Sequence, residues 1–213
     1  MKKNKADFWM SVGFMLAFAA WTIGVLLLDV QPIGPENSKV GMAAINGTFH
    51  NLTGVHMELY LLTDWLSLIP LAVIILFGVV GLFQWIKRKR LLKVDEDILA
   101  LGVFYIFVMA AFCVFEVVVI NYRPVLIVGI LEASYPSSTT MLVMAVMPTA
   151  IMQIRIRVKQ PILKCAFVLI SSAFTAFMVI GRLLSGVHWL SDIIGGMLLS
   201  ASLCLAYRAF IKK

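Results

Sequence analysis

Charge is scarce in this chain, and the scarcity decides its class. Asp, Glu, Lys and Arg make up 14% of the 213 residues, against about 25% in typical soluble domains. Hydrophobic residues make up 62%, and mean hydropathy is +0.98. Such a chain has too little polar surface to face water, so an integral membrane protein of one helical domain, residues 1–213, is expected. Cysteine is also rare. Cys113, Cys165 and Cys204 all lie in apolar runs, which excludes a disulfide framework and a thiolate metal site. They read as small core or lipid-facing residues. Histidine occurs three times. His50 and His56 stand six apart with no companion cysteine or close carboxylate pattern, so loop polarity is the reading and no metal is expected. There is no low-complexity segment, soluble linker or internal repeat. The lack of an inverted repeat or a pair of broken helices argues against a transporter.

What is present is a series of six apolar runs, at about 8–28, 65–86, 98–120, 139–154, 162–180 and 193–211. The first holds 21 residues without a charge, enough at ~1.5 Å per residue to cross a ~30 Å hydrocarbon core. It follows lysines, as a signal peptide would. It is longer than a signal-peptide apolar region and shows no small-x-small cleavage site before Asp29, so a retained first helix is expected. The polar loop 29–64 contains Val40–Leu52, which reads as a short interfacial helix with Met42, Ile45 and Phe49 on one face. Asn46-Gly47-Thr48 and Asn51-Leu52-Thr53 match the glycosylation acceptor pattern, a short and common one.

The basic run Lys87–Arg90 directly follows a span, so it reads as a cytoplasmic stop and not as a nucleic-acid patch; no nucleic-acid partner is expected. Asp95, Glu96 and Asp97 open the third span, where acidic groups suit a helix N-terminus. Fifteen of the 18 Lys and Arg residues fall on one side of this layout. Lys39, Arg123 and Arg182 fall on the other. By the positive-inside rule both termini are cytoplasmic. Any site built from Arg123, Ser137, Arg182 and His188 then opens on the extracytoplasmic side of the cell membrane.

The stretch Arg182-Leu-Leu-Ser-Gly-Val-His188-Trp-Leu-Ser-Asp192 sits between the last two runs. A charge at the centre of a membrane helix costs roughly 2.5–3.5 kcal/mol, so such residues usually pair or act. If His188 opens a helix, Asp192 lies four residues on and shares its face. A carboxylate there can hold one imidazole nitrogen and leave the other free to react. Arg182 can offer planar donors to a phosphate. A phosphoryl-transfer site fits this set. A simple capping or ion pair with a snorkelling arginine fits it as well.

Two further motifs belong with it on the same side. Glu116-Val-Val-Val-Ile-Asn-Tyr-Arg123-Pro124 ends the third span, and Tyr135-Pro136-Ser137-Ser138-Thr139 opens the fourth. In order and spacing the three resemble the type 2 phosphatidic-acid phosphatase superfamily, which also contains the vanadium haloperoxidases. That family's motifs are lysine-x6-Arg-Pro, Pro-Ser-Gly-His, and Ser-Arg-x5-His-x3-Asp. The six-span layout resembles its integral-membrane branch. The resemblance implies an all-α bundle of six transmembrane helices. It implies that His188 is the nucleophile, that Asp192 orients it, and that Arg123, Arg182, Ser137 and Ser138 bind phosphate. No metal or other cofactor is implied, since arginines can supply the charge that phosphoryl transfer requires.

Three positions depart from the family motifs. Gly181 replaces the serine before the arginine. Thr139 replaces the histidine that protonates the leaving group, and loss of a general acid typically costs about 10²–10⁴-fold. Glu116 replaces the first-motif lysine. It either stays protonated and serves as the acid or pairs with Arg123 or Arg182. Two functions therefore follow from the resemblance. One is a lipid phosphatase or phosphotransferase acting on a lipid phosphate or diphosphate at the outer leaflet through a phosphohistidine. The other is a catalytically silent relative that binds a lipid phosphate or a protein partner. The oligomeric state is left open.

Overall fold

The structure is a computed structural model, and it describes residues 5–211. Lys2, Lys3, Lys212 and Lys213, which enter the topology argument, lie outside the described residues. The helices are α1 (Lys5–Leu27), α2 (Ala43–Thr53), α3 (Met57–Leu66), α4 (Leu68–Arg88), α5 (Glu96–Val117), α6 (Ser138–Arg157), α7 (Pro161–Leu184) and α8 (Leu190–Phe210). Among the described residues there are no strands, only isolated bridges. With α3 and α4 taken as one 32-residue stretch, six helices are long and apolar enough to cross a membrane. This is the all-α, six-span, multi-pass architecture expected.

Local chemistry explains several helix ends. Pro161 stands at the start of α7, where its missing N–H costs nothing. Glu96 and Asp97 occupy the first turn of α5, and Lys87 and Arg88 the last turn of α4, each opposing the local helix dipole.

The centre of the bundle is α6 and α8. Their apolar windows are 56% and 50% buried, against 11% for α7 and for the α3–α4 stretch. Their residues Met141, Ala145, Val146, Leu199 and Tyr207 pack with Leu101, Phe104 and Val108 of α5 and Phe18 and Val25 of α1. The peripheral helices turn most of their apolar side chains outward, as lipid-facing helices do. Small residues allow close approach of α1 to α8. Ser11 Oγ donates to Ser202 O and Ser202 Oγ donates to Ser11 O, each at 2.9 Å.

Two readings of the loop 29–64 change. The interfacial helix exists as α2, but it buries Ala43 and Asn46 and leaves Ile45 exposed. The reason is hydrogen bonding: Asn46 Nδ2 donates to Gly41 O at 2.8 Å and Ser191 Oγ at 2.9 Å, and its Oδ1 accepts from Ser191 N at 3.0 Å. A buried, fully engaged amide cannot be a glycosylation acceptor in the fold. The loop also ends earlier than expected. Residues 57–66 are helical, so Asp64 lies on α3, on the approach to the membrane-spanning part of α4.

Candidate active site

Four segments meet at one end of the bundle. The 118–137 connection folds back on itself, with Arg123 N donating to Glu132 O at 3.0 Å and Ser134 N to Asn121 O at 2.9 Å. This places Arg123 under α3. Ser137 precedes α6, and its N–H donates to Asp192 O at 3.0 Å, tying the start of α6 to the start of α8. Arg182 projects from the last turn of α7. The 185–189 turn carries His188.

Glycine makes the convergence possible at two points. Gly181 lies where a Cβ would stand 2.8 Å from Thr63 Cγ2, so its bareness lets α7 close on α3. Gly186 has φ +70° and lies where a Cβ would stand 2.0 Å from Gly54 O, so the α7–α8 turn can seat against the chain entering α3. There His56 N donates to Ser185 O at 2.9 Å.

Arg182 is 2% exposed. Its Nη2 donates to Asp64 Oδ1 at 3.0 Å and Thr139 Oγ1 at 2.6 Å. Its Nη1 donates to Tyr60 O and Thr63 Oγ1, both at 3.3 Å, and its guanidinium lies 4.7 Å from the Tyr60 ring centre. Arg123 lies on the same ring at 5.7 Å. Its Nε is 3.0 Å from Glu132 Oε2 but lacks hydrogen-bond alignment, and its Nη1 is buried with no partner. The two arginines therefore share Tyr60 and are paired with Asp64 and Glu132. The expected pairing of Glu116 with an arginine is not formed. Glu116 is exposed near the end of α5, because the closer carboxylates are Asp64 and Glu132.

His188 is 3% exposed. It lies just before α8 and does not open it. Asp192 consequently caps that helix, with Oδ2 accepting from Trp189 N at 2.9 Å. His188 Nδ1 faces Asp192 Oδ2 at 3.7 Å, too long for a hydrogen bond. Burial pushes the imidazole pKa well below its ordinary value, and the positive charges of Arg123 and Arg182 push it further. His188 is therefore neutral at neutral pH, with a lone pair free on one ring nitrogen. Neither ring nitrogen has a hydrogen-bond partner among the described residues, and neither has Ser137 Oγ.

Two cavities meet here. The smaller, about 30 Å³, is lined by His188, Glu116, Ser134 and Tyr135. The larger, about 340 Å³, is lined by Asp64, Ser67, Thr139 and Arg182, with Leu71, Val108, Met109 and Leu142 as an apolar wall. Arg123, Ser138, Phe112 and Met141 line both. The first N–H groups of α6 belong to the same region, and a helix start favours anions. A larger groove of about 850 Å³ between α4 and α5 is lined mainly by apolar side chains and three glycines, with no charged residue or histidine in its lining.

The PAP2 superfamily model matches residues 120–213, the segment that carries Arg123, Ser137, Ser138, Thr139, Arg182, His188 and Asp192. The match covers 94 of the 213 residues. Its fold is similar to that in the crystal structure of a transmembrane PAP2 type phosphatidylglycerolphosphate phosphatase from Bacillus subtilis. The two share 17% identity and a TM-score of 0.60, over 94% of each chain. The likeness of fold thus extends to the N-terminal helices outside the PAP2 match. Among curated proteins there is no significant sequence match.

Sequence reasoning brought Arg123, Ser137, Ser138, Thr139, Arg182, His188 and Asp192 to one place, and the structure has them together. It missed Asp64, Tyr60, Thr63 and Glu132. A signal for the first three existed in the spacing of Tyr60, Thr63 and Asp64, which puts them on one helical face at the edge of an apolar run.

Proposed function

We propose that this protein is a member of the PAP2 superfamily and a membrane phosphatase that removes phosphate from a lipid phosphate or diphosphate, through a phosphohistidine at His188. The observation that carries the reading is the larger cavity. Its polar floor holds Arg123, Arg182, Ser138 and Thr139, its other wall is apolar, and the neutral His188 stands across the shared lining. A headgroup phosphate fits the floor and a hydrocarbon chain fits the wall. His188 attacks phosphorus through Nε2, since Nδ1 faces Asp192. Arg123 and Arg182 spread the charge of the equatorial oxygens. Asp192 positions the ring from its place at the start of α8. The Bacillus subtilis phosphatidylglycerolphosphate phosphatase supports a lipid phosphate as the substrate class.

Thr139 cannot donate a proton at neutral pH, and its hydroxyl accepts a hydrogen bond from Arg182. A leaving group that departs as a stable anion is therefore favoured. The test is phosphate release by purified protein from phosphatidic acid, phosphatidylglycerol phosphate and a polyprenyl diphosphate. The diphosphate should be cleaved fastest, and His188→Ala should abolish release from all three. Equal rates would mean that another group supplies the proton, and Glu116→Gln beside Asp64→Asn would show which carboxyl it is.

One observation favours the silent-relative reading: both Nη atoms of Arg182 already meet protein acceptors. If no lipid is turned over while vanadate or phosphate still binds, that reading replaces ours. The positive-inside count supports cytoplasmic termini and an extracytoplasmic site. An externally accessible reporter at the C-terminus would overturn that orientation.

A further inference from the structure

In-line phosphoryl transfer puts the attacking and leaving groups on opposite sides of phosphorus. His188 and Glu116 line the smaller cavity; Asp64 and Thr139 line the larger. A phosphoryl group held at the shared lining of Arg123 and Ser138 has His188 on one side and the larger cavity on the other. The lipid product departs into that larger cavity. Water that hydrolyses the phosphohistidine must arrive from the same side, because it attacks opposite the P–N bond. A base for that water has to stand in the larger cavity, and Thr139 has no basicity there.

We propose that Asp64 is the general base for this second step, an inference that rests on the phosphohistidine reading above. Asp64 is the carboxylate of the larger cavity, and its side chain is 54% exposed, so water reaches it. Arg182 fixes its Oδ1 at 3.0 Å. Among the described residues Oδ2 accepts no hydrogen bond and is available to the water. The bare Gly181 lets α3 bring the carboxylate to this position. In the step itself, the water oxygen bonds to phosphorus, the P–N bond breaks, and its electron pair returns to His188 Nε2. The water proton passes to the Asp64 carboxylate and from there to solvent as inorganic phosphate leaves. Glu116 lines the nucleophile's side, where no attacking water is needed.

The test is rapid mixing of the full-length protein with a polyprenyl diphosphate radiolabelled in its terminal phosphate. Asp64→Asn keeps the shape and the contact to Arg182. It should retain a burst of lipid monophosphate, accumulate acid-labile phosphohistidine, and slow steady-state turnover by about 10²–10⁴-fold. Asp64→Glu should restore part of the turnover. Vanadate binding by each variant checks that the site is intact. If burst and steady state fall together in Asp64→Asn, the residue only holds Arg182 and the proposal fails. It fails equally if neither changes, or if Glu116→Gln is the variant that accumulates phosphoenzyme. Wild-type turnover that survives His188→Ala, or no wild-type turnover at all, would instead overturn the phosphohistidine reading and this inference with it.

Discussion

The two ends of the bundle treat their arginines differently. At the end away from the site, Arg157 meets Asp97 through both Nη atoms, at 2.6 and 3.2 Å, and reaches Asp95 at 3.4 Å. Arg88 meets Asp95 at 2.8 Å, and Gln84 closes a reciprocal pair with Asp95. The hydrogen bond from Arg88 chiefly holds the Asp95 carboxyl below its ordinary pKa. These charges satisfy one another and lock α4, α5 and α6 together. At the site end Arg123 Nη1, Arg182 Nε, Ser137 Oγ and both nitrogens of His188 are buried without partners. Buried polar groups left unmatched cost stability, and at the first end Gln153 Oε1 and Arg208 Nε are the ones that do so. The first end holds the helices through matched charges, and the second gathers the unmatched donors and acceptors on which the proposed phosphate site rests.

The sharpest way to break this contrast is at Arg182. Arg182→Lys should lower turnover by about 10²–10³-fold, since a point charge cannot replace a planar donor set aimed at a transition-state oxygen. Phosphate-release kinetics measure it, and unchanged activity would remove Arg182 from the phosphate clamp. The matching change at the other end is Arg157→Ala. It should cost about 1.5–3 kcal/mol of stability through lost charged hydrogen bonds, discounted because the pair is partly exposed. Thermal unfolding in detergent reads this cost, and KM should stay at the wild-type value. A shift in KM would show that the two ends are coupled.

Much of this contrast could be read from the residues. Six apolar runs gave the spans, and three spaced motifs gave the cluster around His188. The limits came from long-range pairing. Arg182 needed a carboxylate, but which one depended on how α3 docks, and local periodicity carries no information on docking. Glu116 was nearest in the motif, whereas Asp64 and Glu132 are nearest in space. Asn46 resembled a surface acceptor until tertiary contacts buried it against Ser191. His188 and Asp192 have the spacing of one helical face, yet the helix starts after His188, so Asp192 acts first as a cap.

Gly181 tests whether the site end depends on α3. A serine at this position, the residue the resemblance leads one to expect, would put its Cβ 2.8 Å from Thr63 Cγ2. Overpacking of that kind typically costs about 1–3 kcal/mol. Gly181→Ser should therefore lower the thermal midpoint modestly and weaken the contact of Asp64 with Arg182. In activity it should move toward the Asp64 variants. If Gly181→Ser is as stable and active as wild type, α3 yields easily, and its carboxylate is not held where the second step requires it.

The smallest effect expected is a pH dependence of stability that belongs to the site end alone. Burial, and then the charges of Arg123 and Arg182, keep folded His188 from taking a proton at the ordinary imidazole value of about 6.5. Below that pH the unfolded chain binds a proton that the folded chain refuses, so stability falls as pH falls. Above it the two states bind equally and the contribution is flat. The slope from one such group is at most about 1.4 kcal/mol per pH unit, from the ordinary value down to the folded one. His50, also lowered by burial, adds a part with the same sign. Thermal midpoints of wild type and His188→Asn, measured from pH 5 to 8, separate the two. The variant should lose most of the acid slope and match the wild-type trend above neutrality. An unchanged slope would mean that His188 accepts its proton in the folded state, and a cationic ring could not then act as the nucleophile.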